Sequence, residues 1–176
     1  MLSPFVFGIA GYKNTGKTTL ISQFIREMSQ KGKRVATIKH DAHGFFAHPD
    51  HTDTASHAKA GAICTVIASP DGHTAIERHE PKEPSLADLL KRVAGVDVIL
   101  VEGYKDAPIA KWVLLSDPGL GMPYTIPDYM VHATFQGKVL GFVVPRPPLT
   151  VMHSRYPVFL REDVPAMVRV MEYHMA

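Results

Sequence analysis

Apolar residues recur along this chain in two spacings, and their alternation predicts an α/β fold. Phe5-Val6-Phe7-Gly8-Ile9-Ala10 is a short apolar run of the kind a buried strand requires. Leu20, Ile21, Phe24, Ile25 and Met28 then fall on one stripe of a helix, which should end near Lys31 with Gly32 as its left-handed cap. Val35-Ala36-Thr37-Ile38 is the next β-rich run, and Lys39-His40-Asp41 leaves its carboxyl end. An open α/β sheet places ligand-binding residues at that end. A polar stretch rich in His, Gly and Pro follows over 40–52, then a short helical segment Thr54–Ala60 closed by Gly61.

Residues 62–68 read as another strand. Ser69-Pro70-Asp71-Gly72 is strong turn chemistry, so His73–Arg78 is expected as its antiparallel partner, which would make the sheet mixed. Leu86, Leu89, Leu90 and Val93 repeat at helical spacing, with Ser85 and Asp88 in the positions of a capping box. Val96-Asp97-Val98-Ile99-Leu100-Val101 is apolar almost throughout, as a central strand covered on both faces should be, and it ends at Glu102-Gly103. Trp112–Leu115, Val139–Val144 and Val158–Leu160 are three further strands. Pro145, Pro147 and Pro148 forbid a ladder after Val144. A last helix from about Asp163 carries Val164, Met167, Val168 and Met171 on its core face. No repeat, low-complexity tract or linker divides the chain, so one domain over 1–176 is expected.

The stretch Gly11-Tyr12-Lys13-Asn14-Thr15-Gly16-Lys17-Thr18-Thr19 lies between the first strand and the first helix and reads G-x-x-x-x-G-K-T. This is the phosphate-cradling P-loop pattern in its proper setting. Its glycines let backbone N–H groups approach a phosphate without a Cβ in the way. The opening helix points its unpaired amides and positive dipole end at the same anion. Lys17 would reach the β- and γ-phosphates, and the Thr18 hydroxyl would enter the shell of a Mg²⁺ ion. Together with the strand pattern, the motif predicts a P-loop NTPase-like three-layer α/β fold with a mostly parallel, mixed central sheet. Glu102 ends the most apolar strand and is the candidate second holder of the Mg²⁺, directly or through water; positioning an attacking water is its alternative role.

Composition changes little. The chain has 176 residues, 45% hydrophobic and 20% charged, with 19 basic and 17 acidic side chains. No basic block stands out, so nothing argues for nucleic acid or an anionic membrane as partner. The one cysteine, Cys64, sits in an apolar run and is expected as a buried small hydrophobe, which suits a reducing cytoplasm. The apolar N-terminus lacks a basic segment and runs straight into the P-loop, as a first strand and not a signal peptide. No apolar run reaches the roughly 18 residues of a membrane span.

Two further groups of residues invite a chemical reading. Asp53 could touch metal or nucleotide, or it or Thr52 could cap the short helix that follows. The chain has ten histidines, and His40, His43, His48, His51 and His57 crowd into one stretch with two His-x-x-His spacings. Neutral imidazole binds Zn²⁺ or Ni²⁺ readily, yet no cysteine accompanies them and the spacing fits no closed structural site. The plainer expectation is a polar loop over 40–52 that is mobile without ligand and orders with nucleotide and Mg²⁺, with Phe45 and Phe46 as its apolar anchors. His40 stands apart because it leaves a strand end beside the expected phosphates. The Asn/Thr-Lys-x-Asp motif that fixes guanine in common GTPases is absent, so the residues leave the base undecided.

Taken together, these residues resemble the molybdopterin-guanine dinucleotide biosynthesis protein B (MobB) family. The resemblance rests on the P-loop, Ile38-Lys39-His40, Asp53-Thr54, Lys59-Ala60-Gly61-Ala62, Val98-Ile99-Leu100-Val101-Glu102-Gly103-Tyr104-Lys105 and Ile109-Ala110-Lys111. It fades after Leu115. It implies a small GTP-binding protein with weak Mg²⁺-dependent GTPase activity, working as a cytoplasmic homodimer. Such a protein would assist the partner enzyme that attaches GMP to molybdopterin, with molybdopterin itself a further candidate ligand. The implied nucleotide site takes in Gly11 to Thr19, His40 and Asp53, with Thr18 and Glu102 at the metal and Lys17 and Glu102 in the chemistry. Lys105 and Lys111 also match, either adding positive charge near phosphates or an interface, or lying solvated on the surface. The rival readings are a P-loop kinase or ligase for a small metabolite, and a nickel- or cobalt-delivery GTPase using the histidines.

Overall fold

A computed structural model describes residues 3–41, 52–131, 137–147, 151, 152, 154 and 156–176. The described residues group into two compact units, one made of the chain up to His40 and from Leu90 onward, the other of Asp41–Leu89.

The larger unit is built on six parallel strands. They are β1 (Phe5–Gly11), β2 (Val35–Lys39), β5 (Val98–Glu102), β6 (Ala110–Leu114), β7 (Val139–Val144) and β8 (Val158–Leu160), in the order β2-β5-β1-β6-β7-β8. The two strands predicted to carry chemistry are therefore neighbours, with Ile9 of β1 level with Glu102 of β5. Period-two alternation sorts their side chains onto two faces. Phe7, Ile9, Leu100, Trp112, Leu114 and Val143 join the core under two helices, α1 (Lys17–Gln30) and α4 (Val164–Met175). The helices contribute the stripes that their spacing predicts: Leu20, Ile21, Phe24 and Met28 from α1, and Val164, Met167, Val168 and Met171 from α4. Trp112 is fully buried there, its ring meeting Phe159 edge-on at 5.2 Å. On the other face, Ala10, Val113, Phe142 and Val144 pack with Tyr124 from the irregular chain after β6, Tyr129 from a one-turn 3₁₀ helix at Asp128–Met130, and Val151 from the chain after β7.

The smaller unit holds α2 (Asp53–Lys59), the hairpin β3 (Cys64–Ala68) and β4 (Thr74–Arg78), and the start of α3 (Leu86–Arg92). The hairpin is antiparallel, as its turn predicts, with Val66 opposite Ile76. It forms a two-stranded sheet of its own, however, and the central sheet is parallel throughout rather than mixed. Turn chemistry specifies that two strands pair; it does not specify which sheet they join. A strand with one partner shields little, and Cys64 is accordingly half-buried where burial was expected. Ser85 caps α3: its Oγ accepts from the Asp88 N–H at 3.2 Å and donates to the Asp88 carboxylate at 2.6 Å, so half of the expected box is seen. No helix among the described residues is long and apolar enough to cross a membrane.

Candidate functional site

The carboxyl end of β1 turns into α1 through a loop whose backbone leaves little choice of residue. Gly11 ends the strand so close to β6 that a Cβ there would lie 2.8 Å from the Leu114 carbonyl oxygen and from Thr15 Oγ1. Gly16 holds φ +90°, a left-handed conformation costly for residues with a Cβ. Asn14 also has positive φ, 63°, a region asparagine tolerates better than most residues. Buried Thr15 closes the loop on itself, its Oγ1 donating to the Tyr12 carbonyl at 2.9 Å. Gly16 is the N-cap of α1 and supplies no side-chain cap, and no acidic residue sits in the first turn. The opening amides of α1 thus meet no side-chain anion of their own helix, which is what a phosphate site needs.

Lys17 is half-buried and folds back over the loop, its Nζ donating to the carbonyls of Gly11 at 3.2 Å and Tyr12 at 2.8 Å. Burial lowers its pKa, Glu102 opposes that, and nearby Lys39 adds to it. The next residue, Thr18, places its hydroxyl 3.2 and 3.3 Å from the two carboxylate oxygens of Glu102. These residues lie 84 apart in sequence and are joined because β5 is the strand beside β1. A hydroxyl and a carboxylate converging next to a lysine and a turn of free-standing amides form a hard-oxygen donor set suited to Mg²⁺ with a nucleotide phosphate. Lys13 and Thr19 are exposed at the rim.

His40 follows β2, where its N–H donates to the Glu102 carbonyl at 3.0 Å. Its ring lies 4.9 Å from that of Tyr104, itself at φ 43°. The strand-end reasoning thus brings His40 to the Glu102 edge of the site. Tyr12 sits on the opposite flank, 45% exposed, meeting buried Tyr129 edge-on at 5.5 Å. Burial, first, and Tyr12 push the Tyr129 hydroxyl's pKa up. Lys105 Nζ stands 5.0 Å over the same ring, a cation–π contact.

Other expectations fare differently. Asp53 is the first residue of α2 in the smaller unit, and the cap is Thr52, whose Oγ1 accepts from the Ala55 N–H at 3.3 Å. Asp53 there adds negative charge to a helix start, a favourable placement by itself. His43, Gly44, Phe45, Phe46, His48 and His51 lie outside the described residues, and with them the expected behaviour of the loop 40–52. Among the described residues no cluster of three or more His, Cys, Asp or Glu could hold a metal. Lys111 is not a solvated surface lysine. It is 1% exposed on β6 and donates to the carbonyls of Lys105 and Ala107 at 2.5 and 2.7 Å, tying down the chain that leaves Glu102. Arg161 is the residue the sequence patterns do not single out. It follows β8, and its Nη2 donates to the Thr15 carbonyl at 2.7 Å. The signal that could have found it is the one that found His40 and Glu102, a polar residue at the carboxyl end of a strand.

A family model described as molybdopterin guanine dinucleotide synthesis protein B matches residues 6–133. Proteins called molybdopterin-guanine dinucleotide biosynthesis adapter protein are 35% identical over 111 residues in Haemophilus influenzae and 35% identical over 115 residues in Escherichia coli. These matches cover 62% and 64% of this chain, and 62% and 66% of those relatives' length. A probable adapter protein of Bacillus subtilis is 30% identical over 66% of this chain and 69% of its own. Among solved structures, a molybdopterin-guanine biosynthesis protein B superposes with a TM-score of 0.71 at 24% identity, covering 97% of this chain and 99% of that one. The structure of Bacillus subtilis MobB does so at 0.69 and 21% identity, covering 95% of each chain. At such identities the superpositions speak for the shared fold.

Proposed function

Since the chain belongs to the molybdopterin guanine dinucleotide synthesis protein B family, we propose that it is a GTP-binding accessory protein with weak Mg²⁺-dependent GTPase activity. In this reading it acts in the cytoplasm as a homodimer and assists the enzyme that joins GMP to molybdopterin, with molybdopterin itself as a second ligand. The relatives' names support the pathway, and the family resemblance supports guanine as the base. The observation that carries the nucleotide part is the convergence of the Thr18 hydroxyl on the Glu102 carboxylate at the mouth of the P-loop.

Each residue then has a definable task. The amides from Gly11 to Thr19 and the start of α1 bind the phosphate chain, and Gly11 and Gly16 let the loop pack closely on Leu114 and Arg161 while it turns those amides outward. Lys17, now resting on the carbonyls of Gly11 and Tyr12 within the same loop, can exchange those acceptors for phosphate oxygens. Thr18 and Glu102 would hold Mg²⁺, which supplies neutralisation of charge on the β- and γ-phosphates. His40 and Tyr104 line the Glu102 edge, and Lys111 keeps the chain after Glu102 in place.

Titration of Mg²⁺-GTP into the full-length protein and into Lys17→Ala tests this reading. The ammonium's charge-assisted contacts are worth about 1.5–3 kcal/mol each, so the variant should lose GTP binding while its urea unfolding midpoint stays close to wild type. Equal GTP affinity in a folded Lys17→Ala protein refutes the site. Fast phosphotransfer to a metabolite in a substrate screen would favour a P-loop kinase over an accessory protein.

A further inference from the structure

The phosphate loop is bracketed from two directions. Glu102 reaches it from β5 on one side of β1, and Arg161 reaches it from β8, three strands away on the other side. The Arg161 backbone N–H extends the β7–β8 ladder onto the Val144 carbonyl at 3.0 Å, which fixes the root of the side chain. The guanidinium then lies against the backbone of Gly16. A Cβ built on Gly16 would come within 2.9 Å of Arg161 Cζ, 3.0 Å of Nη1 and 3.2 Å of Nε. Its Nη2 donates to the Thr15 carbonyl at 2.7 Å, and its Nε is buried with no hydrogen-bond partner among the described residues. A side chain placed there for packing alone would be a poor choice. It buries an unused N–H donor where a methionine of similar reach would bury none.

The peptide unit it touches explains the choice. In a trans peptide the C=O of Thr15 and the N–H of Gly16 point in opposite directions. A hydrogen bond that draws the Thr15 carbonyl toward Arg161 turns the Gly16 N–H the other way. A cation on the carbonyl also polarises the peptide and makes that N–H a stronger donor. We propose that Arg161 is a positioning residue of the phosphate site: it sets the orientation of the Thr15–Gly16 peptide so that the Gly16 amide is presented to a phosphate oxygen. Its ligand class is the polyphosphate and not the base. This rests on the nucleotide-binding reading above and adds to it a residue outside the P-loop motif.

The test uses full-length wild type, Arg161→Ala and Arg161→Lys, titrated with Mg²⁺-GTP and with inorganic tripolyphosphate. Arg161→Ala should bind both about tenfold to a hundredfold more weakly, the factor expected from one charge-assisted hydrogen bond. Arg161→Lys should recover part of the loss, since an ammonium can reach the carbonyl but cannot lie flat over Gly16. Millimolar guanidinium, far below denaturing levels, should restore binding to Arg161→Ala, which a merely structural defect would not allow. Should Arg161→Ala fail to fold, Arg161→Lys carries the same comparison. Wild-type binding with undiminished affinity in the variants, or a loss seen with GTP and not with tripolyphosphate, overturns the assignment alone. Failure of wild type to bind GTP overturns the nucleotide reading, and Arg161's role with it.

Discussion

Replacing Lys111 by Met exchanges a buried ammonium for an apolar chain of similar length, and its effect should vary with pH in a way that ordinary core substitutions do not. Lys111 is 1% exposed, with its Nζ on the carbonyls of Lys105 and Ala107. Burial holds its pKa down to about 8, with Asp106 opposing the fall; in an unfolded chain a lysine titrates near 10.4. Between these values the unfolded state binds more protons than the folded one, so this group makes stability rise with pH. At neutral pH the folded protein carries the whole cost of the buried charge, about 3 kcal/mol, and integration gives a gain of about 2.5 kcal/mol between pH 7 and pH 10.

Met at this position does not titrate. It removes the buried charge and leaves two carbonyls without these donors, at about 1–3 kcal/mol each. At pH 7 the two effects largely offset, and Lys111→Met should fall between about 1 kcal/mol more stable and about 3 kcal/mol less stable than wild type. At pH 10 wild type has gained its 2.5 kcal/mol or so and the variant has not, so the stability difference moves in wild type's favour by about that amount. Urea unfolding of both proteins at several pH values measures it. Parallel stability profiles, or a difference that moves in the variant's favour toward pH 10, would refute the reasoning.

Glu102→Gln should retain appreciable GTP affinity, because the loop amides and Lys17 remain. Its Mg²⁺ dependence and slow hydrolysis should both fall, since a neutral amide is a weak ligand for a hard cation; isothermal titration with and without Mg²⁺, beside a phosphate-release assay, decides this. Met167→Ala empties a fully buried position between α4 and the sheet and should cost about 2–5 kcal/mol, read as a lower urea midpoint with unchanged GTP affinity. The Arg34 and Arg146 guanidiniums, through hydrogen bonds, hold the Asp97 and Asp117 carboxyls down to about 2. Their contribution is therefore present above the ordinary carboxylate range and lost as pH falls through about 2. Asp97→Asn should flatten the acid limb of the stability curve, and an unchanged limb would count against the pairing.

Much of this site was legible because its parts are local. Glycines, lysine and threonine at fixed offsets make the loop, and one apolar run ending in an acid makes Glu102 stand out. What brings Thr18 to Glu102 is not local, yet it follows from the rule that strands expose ligand residues at their carboxyl ends. The same rule found His40. The central helices were readable for a similar reason, since a stripe such as Val164, Met167, Val168 and Met171 leaves only one face to bury.

The residues that escaped share a physical cause: each is explained by a partner that its own neighbourhood in the sequence cannot reveal. Lys111 sits in a short strand where alternation would let it face water, and only the folded path of 103–109 puts carbonyls around its ammonium. The hairpin at 64–78 announces its turn, while the choice between joining the parallel sheet and standing alone depends on which edges that sheet leaves open. Arg161 touches Thr15 across 146 positions and through a backbone carbonyl, which no side-chain pattern records. That contact also divides the labour within the loop. Its glycines permit the phosphate-binding conformation, its own threonine closes it, and a cation from the far strand selects which way one peptide faces. A motif match therefore predicts that such a loop can bind phosphate, and the residues around it determine how well it does so.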